Sequence, residues 1–160
     1  MRRPVYDHTF QSVPFDHAVG VLRTDPGLWL PEPARPTDDG WIVTMRASGL
    51  LPAPEVDALV AVELPTVDRE TLFVRPITWR AAVADRLFPT LTADLEIEPV
   101  NGGAIRFALV GSYRPPISVV GSAADRLVGH HIAEAVVRAF LEAVAERLTA
   151  ESVKASTLGM

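Results

Sequence analysis

Residues Ser122 to about Thr149 carry one unbroken helical pattern, and a helix of that length restricts everything built around it. At about 1.5 Å per residue it is on the order of 40 Å long, whereas a compact domain of this size has a radius of gyration near ~15 Å. The helix must therefore cross the whole molecule. Arg126, His130, Glu134, Arg138 and Glu142 step by four along one side, while Val128, Ile132, Ala135, Val136, Ala139, Phe140 and Ala143 occupy the other, the side expected to be buried. Ser122 followed by Asp125 makes a capping-box-like start with Asp in place of Glu. Glu134 and Arg138 stand in favourable order for an i,i+4 ion pair, a contribution of about 0.2–0.5 kcal/mol. The polar, small residues 150–160 are expected to form a mobile tail, leaving residues 1–149 as one domain.

Upstream of the helix the period falls to two. Trp41, Val43, Met45 and Ala47 share one side of a strand, as do Val56, Ala58, Val60, Val62 and Leu64. Phe73, Ile77 and Trp79 mark the next, followed by Leu91, Leu95 and Ile97, and then by Ile105, Phe107, Leu109 and Tyr113. Pro65-Thr66-Val67-Asp68 and Asn101-Gly102-Gly103 have turn chemistry and no connection holds a crossover helix, so the strands are antiparallel. Thr90, Thr92, Asp94, Glu96 and Glu98 form the opposite side of their strand. One face of the sheet is wet and the other dry.

Before this sheet, Val5 to Gln11 reads as a first strand. Ser12 stands as N-cap of a helix from about Val13 to Leu22, with Pro14 in its first turn and Asp16 near the positive end of the dipole. Asp25-Pro26-Gly27 breaks it, Leu28-Trp29-Leu30 makes a short turn, and the proline-rich stretch from Pro31 to Asp39 is a loop. A curved antiparallel sheet closed by one long helix encloses a concave apolar container.

Composition excludes several classes of function. With 48% hydrophobic and 22% charged residues the bulk of the chain is ordered, and a domain of this size buries roughly 70% of the surface its unfolded chain exposes. The net charge of −5 arises from interspersed acids and bases without a Lys/Arg block, so nucleic acid is not an expected partner. There is no cysteine, hence no disulfide or thiolate chemistry, which fits a reducing compartment. Met1-Arg2-Arg3-Pro4 is not followed by the apolar stretch of about 7–15 residues that an export signal needs, and no apolar run approaches the ~20 residues of a membrane span. A cytoplasmic protein is expected. The Gly-x-Ser-x-Gly elbow, the phosphate loop, the His-Glu-x-x-His pair and the dinucleotide fingerprint are all absent. No cofactor is implied.

The order of strand, two short helices, antiparallel sheet and long closing helix is that of the helix-grip fold. Ser12-Val13-Pro14 leading to Arg23-Thr24-Asp25-Pro26 resembles the opening of the START-like superfamily, which includes polyketide cyclases and Bet v 1-like proteins. The stretch from Arg106-Phe107-Ala108-Leu109 through Gly111-Ser112-Tyr113-Arg114-Pro115-Pro116, then Gly121, Asp125 and Phe140-Leu141, is similar to the ending of uncharacterised bacterial members. The resemblance implies an α+β helix-grip domain whose curved antiparallel sheet wraps around the C-terminal helix. Members bind lipids, hormones or polyketides, some catalyse aromatisation or cyclisation, and others act on partner proteins, so no single activity transfers with the fold.

Candidate site residues follow from the dry face and the helix. Met45, Phe73, Trp79, Phe107 and Leu109 from the sheet, with Ile132, Ala135, Val136 and Phe140 from the helix, would wall a cavity for a hydrophobic or amphipathic small molecule. Trp29 and Trp41 are further aromatics available to such a wall, or to plain core. Arg75 alternates with Phe73, Ile77 and Trp79, which aims a guanidinium into the dry side; buried, it needs a carboxylate partner, or a ligand that is acidic or bears a carbonyl. The alternative is that Pro76 makes a bulge or an edge and turns Arg75 outward. Arg106 is expected to face solvent. Tyr113 either meets a polar group of a ligand or only caps the core. His130 and His131 point about 100° apart, the wrong spacing for two metal ligands on one face; His131, at the edge of the apolar stripe, is either an acid–base group or a boundary residue. Ala135, Ala139 and Ala143 let helix and sheet touch closely or leave room for a ligand. Reversible ligand binding is the leading expectation, with a cyclase or aromatase second. A module that packs on another protein, or on itself as a homodimer, is third.

Overall fold

A computed structural model of the chain describes residues 2–46, 55–82, 89–115 and 123–158. Strand β1 (Arg3–Gln11) is followed by helix α1 (Phe15–Leu22) and a single 3-10 turn (Pro26–Leu28). Then come β2 (Ala34–Thr37), β3 (Gly40–Arg46), β4 (Glu55–Val62), β5 (Val67–Arg69), β6 (Leu72–Ala81), β7 (Thr90–Val100), β8 (Ala104–Arg114) and the long helix α2 (Ala123–Leu158). The strands form one antiparallel sheet in the order β1-β8-β7-β6-β4-β3-β2, and β5 pairs with the far end of β6. This is the helix-grip architecture: a curved sheet gripped by a C-terminal helix.

The inner face of the sheet is the dry one expected from the period of two. Val43, Met45, Ala58, Val60, Phe73, Ile77, Trp79, Leu91, Leu95, Ile97, Ile105, Phe107, Leu109 and Tyr113 all join one buried cluster with α1 and α2. The β7–β8 hairpin turns where Gly102 and Gly103 adopt positive φ (86° and 74°), a region open to glycine at no steric cost. At Gly111 the two strands approach so closely that an added Cβ would stand 2.3 Å from the Thr92 carbonyl oxygen, so only glycine fits. The outer face carries Asp94, Glu96 and Glu98, as expected, together with an exposed ladder of rings on edge strand β1: Tyr6 (51% exposed), His8 and Phe10 (60%), with successive centroids 5.5 Å apart. Arg106 lies on this outer side, pairs with Glu98 at 3.1 Å, donates to the Tyr6 hydroxyl and stacks over the Tyr6 ring.

Several local expectations are corrected. Helix α1 begins at Phe15, with Pro14 rather than Ser12 at the cap position and no side-chain cap bond. The short turn falls two residues earlier than Leu28-Trp29-Leu30, because the Asp25 carboxylate accepts from the Gly27 amide and Pro26 supplies the starting φ. The proline-rich stretch is not all loop, since Ala34–Thr37 pairs with Gly40–Val43; an edge strand tolerates Pro36. The turn expected at Pro65–Asp68 gives way at Val67 to strand β5, and Leu64 lies outside β4 and is 81% exposed. Helix α2 continues to Leu158, past the expected end at Thr149, so residues 150–158 extend the helix in place of the expected tail. Ala47, Pro116 and the Ser122 cap lie outside the described residues.

The buried stripe of α2 is rotated by about one residue from the expected one. Ala133, Val136, Val137, Phe140, Leu141, Val144, Ala145 and Leu148 are buried, whereas Ile132, Ala135, Ala139 and Ala143 are only half-buried along its flank. Glu134 and Arg138 do not pair with each other. Glu134 Oε1 meets His130 Nε2 at 2.8 Å, and Arg138 reaches Asp7 of β1 at 3.2 Å and Glu142 at 3.3 Å. None of the described helices is long and apolar enough to cross a membrane.

Candidate functional site

The alanine flank of α2 is where helix and sheet part. Ala139 and Ala143 lie one turn apart and carry only methyl groups, so opposite them a pocket of about 340 Å³ opens toward the end of β3, the start of β4 and Pro31–Pro33. Small-molecule sites span about 300–1,000 Å³, which places this one at the small end. Met45 and Phe140, both buried, supply its deeper wall. The rim is polar: Arg46 pairs with Glu55 at 3.0 Å, the Thr44 hydroxyl donates to Asp57 at 2.8 Å, and Glu32 meets Arg147 at 3.3 Å. Arg147 also donates to the carbonyls of Gly27 (3.2 Å) and Leu30 (2.8 Å), which fixes α2 against the turn leading into Pro31.

Behind Phe140 the sheet presents one continuous inward row. Trp41 of β3 pairs with Val60, Val60 with Trp79, Trp79 with Leu91 and Leu91 with Tyr113. The Trp79 and Phe140 rings are 5.0 Å apart at 55°. Trp79 is buried, and its indole Nε1–H has no hydrogen-bond partner among the described residues; the same holds for Trp29. A buried donor left unpaired costs about 1–3 kcal/mol.

At the Tyr113 end of the row stands a polar chain. The Tyr113 hydroxyl lies 2.6 Å from His130 Nδ1, and His130 Nε2 lies 2.8 Å from Glu134 Oε1. With Nε2–H donating to the carboxylate, Nδ1 is the acceptor and the tyrosine donates to it. Burial pushes the Tyr113 phenol above its ordinary value; the Arg3 guanidinium beside it opposes the shift, and Glu134 adds to it. His131, the histidine singled out from the sequence, points elsewhere. Its side chain is 58% exposed and its nearest acid is Glu134, at 4.0 Å.

Arg75 faces inward and is only 7% exposed. Strand β6 stays unbroken through Pro76, which sits where the partner on that side changes from β4 to β5; its carbonyl accepts from the Glu63 amide, and the Glu63 carbonyl, which a proline cannot serve, accepts from Arg75 Nε. The charge is met by backbone rather than by a carboxylate. Arg75 donates to the carbonyls of Leu22 (2.6 Å), Thr24 (3.2 Å) and Glu63 (2.8 Å), and its guanidinium lies 5.8 Å from the Trp29 ring centroid. Burial draws its pKa down, with Asp25 opposing. Leu22 and Thr24 sit at the C-terminal, negative end of α1, a favourable place for a cation.

The structure thus distributes the candidate residues. Met45 and Phe140 line the pocket; Phe73, Trp79, Phe107, Leu109 and Val136 are packed in the buried cluster, with Ile132 and Ala135 against it. Tyr113 joins His130, and Arg75 joins the end of α1. Trp29 and Trp41 do not line the pocket; Trp41 lies against Gly27, where an added Cβ would stand 2.7 Å from its ring. The sequence reading missed Pro31, Glu32, Pro33, Thr44, Arg46 and Glu55 as pocket residues, and His130 as the partner of Tyr113. The Ala139–Ala143 spacing was the one visible signal of the pocket. Among the described residues no group of three or more His, Asp or Glu gathers as a metal site.

Neither a protein-family model nor a curated protein matches the chain. Solved structures do. TTHA0849 from Thermus thermophilus is similar over 94% of this chain and 99% of its own, with a TM-score of 0.61 at 17% identity. Ara h 8.0201 is similar over 94% and 99%, with a TM-score of 0.53 at 10% identity. Zhui aromatase/cyclase from Streptomyces sp. R1128 is similar over 93% and 94%, with a TM-score of 0.51 at 13% identity. The chain has the helix-grip fold that these structures share. At these identities the likeness speaks for fold alone.

Proposed function

We propose that the protein binds a hydrophobic or amphipathic small molecule between α2 and the concave sheet, entering by the pocket beside Ala139 and Ala143. The observation that carries this reading is the pocket itself: about 340 Å³, an apolar wall of Met45 and Phe140, and a rim of Thr44, Arg46 and Glu55. Burying an apolar ligand there supplies affinity at about 25 cal/mol per Å² of area removed from water as the gross term. The rim leaves polar groups for the wet end of an amphipathic molecule. Arg75 has no part in it, because three carbonyls already hold its guanidinium. Native mass spectrometry of the protein purified from its own host tests the proposal. A co-purifying mass is expected in the wild type and is lost in Ala143→Phe, whose ring fills the pocket while its half-buried position keeps the change in stability to about 0.5 kcal/mol. Ligand retained equally by Ala143→Phe would overturn the placement.

A second reading, an aromatase- or cyclase-type enzyme, is favoured by the chain Tyr113–His130–Glu134, in which a buried phenol is linked through an oriented imidazole to a carboxylate at the surface. In such a chain Tyr113 takes a proton from an acidic carbon between two carbonyls only as its own phenolic proton passes to His130 Nδ1, leaving an imidazolium paired with the Glu134 carboxylate. With a linear poly-β-ketone thioester as probe, Tyr113→Phe is expected to lower ring formation at least ~100-fold. Equal turnover by the variant, or none by the wild type, removes this reading.

A further inference from the structure

We propose that the indole N–H of Trp79 reads the ligand, donating to a neutral oxygen acceptor, a carbonyl above all, on an otherwise apolar molecule. The inference rests on the binding reading above and narrows its ligand class. Two observations and one physical argument meet at this donor. It is fully buried and unpartnered among the described residues, as is the indole N–H of Trp29, whereas buried Arg75 and Tyr113 both have hydrogen-bond partners. Its row neighbours are Val60 and Leu91 and its ring partner is Phe140, none of which offers a polar side chain. A buried water needs two to four polar partners, so water is a poor occupant here, whereas an apolar molecule bearing one acceptor satisfies the donor and the surroundings together.

The position also fits. Phe140 packs on Trp79, with ring centroids 5.0 Å apart, and also lines the pocket, so the two share one side chain, and a ligand that reaches the donor has to displace that ring. The acceptor is neutral because Arg75, the buried cation among the described residues, is already held by three carbonyls, and a carboxylate buried against an indole alone would be uncompensated. A ketone or aldehyde on an aromatic or alicyclic body is the class this describes; a free fatty acid is not.

The test compares two probes of one shape, 2-acetylnaphthalene and 2-isopropylnaphthalene, which differ in C=O against C–CH3. The selectivity of the wild type for the ketone is expected to fall about ten-fold in Trp79→Phe, which keeps an aromatic ring and deletes the N–H. Trp29→Phe, which removes the other unpartnered indole donor outside the pocket, is expected to leave that selectivity unchanged. In the wild type, the 15N-indole resonance of Trp79 is expected to move downfield with the ketone and not with the hydrocarbon, a readout that needs no variant to fold. Selectivity that survives in Trp79→Phe, with an unmoved indole resonance, would overturn the inference and leave ligand binding standing. Failure of both probes to bind would overturn this inference alone, whereas the absence of any co-purifying mass in the native spectrum would remove the binding reading and this inference with it.

Discussion

Arg75 carries a charge into an apolar interior, and its partners are three main-chain oxygens from two separate connections. Taking that charge out of water is costly, but hydrogen bonds to ionised groups recover about 1.5–3 kcal/mol each, and the guanidinium fork reaches three acceptors that an ammonium cannot span. Arg75→Met is therefore expected to lower the free energy of unfolding by about 2–4 kcal/mol in urea titration, because it leaves the carbonyls of Leu22, Thr24 and Glu63 without their donor. Arg75→Lys should recover only part of the loss. A variant as stable as the wild type would show that water satisfies those carbonyls equally well. Alternation with Phe73 and Ile77 raised the inward orientation of Arg75, but Pro76 weighed in favour of the outward one until the handover from β4 to β5 was visible; its partners were not legible at all, because backbone carbonyls leave no mark on a sequence.

Strand β7 sets three carboxylates on one face, Asp94, Glu96 and Glu98, at the spacing that a period of two dictates. Burial pushes the Glu96 carboxyl above its ordinary value, Asp94 adds to the shift, Arg106 opposes it and Glu98 adds a little more. The folded state thus holds this proton more tightly than the unfolded chain does. Stability on this account rises as pH falls through the window from the raised folded value to the ordinary glutamate value, and is lost again as pH rises through it. Glu96→Gln is expected to stabilise the protein at pH 7 by less than about 1 kcal/mol, the group being half-exposed, and to flatten that part of the stability–pH curve. Melting temperatures measured from pH 4 to 8 would check the sign; a variant that is less stable at pH 7 would reverse it. Helix α2 shows where an element defeats a reading by pattern. Alanines at 133, 135, 139, 143 and 145 make more than one face look apolar, and the larger Val137, Leu141, Val144 and Leu148, spaced by three and four, decide which face is buried.

For the whole molecule, the architecture was legible and the site only half so. Alternation fixes which face of each strand is dry, turn chemistry fixes antiparallel order, and a helix longer than the domain is wide has one place to lie. The pocket depends instead on how far apart four elements stand: β3, β4, the turn ahead of Pro31, and α2. No local pattern encodes that distance, although the Ala139–Ala143 methyls mark where a gap is tolerated. His130 was hidden for a related reason, since it steps with the polar side of α2 and meets Tyr113 only once the helix has its rotation. Arg75 and Arg147 share one feature that reaches beyond this fold: each grips peptide oxygens, of Leu22, Thr24 and Glu63 in one case and of Gly27 and Leu30 in the other. Every amino acid brings the same oxygen to such a clasp. Exposed Thr24 and Glu63 are thus free to drift in evolution without loosening it, and the joints that hold the grip together constrain the course of the chain far more than its spelling.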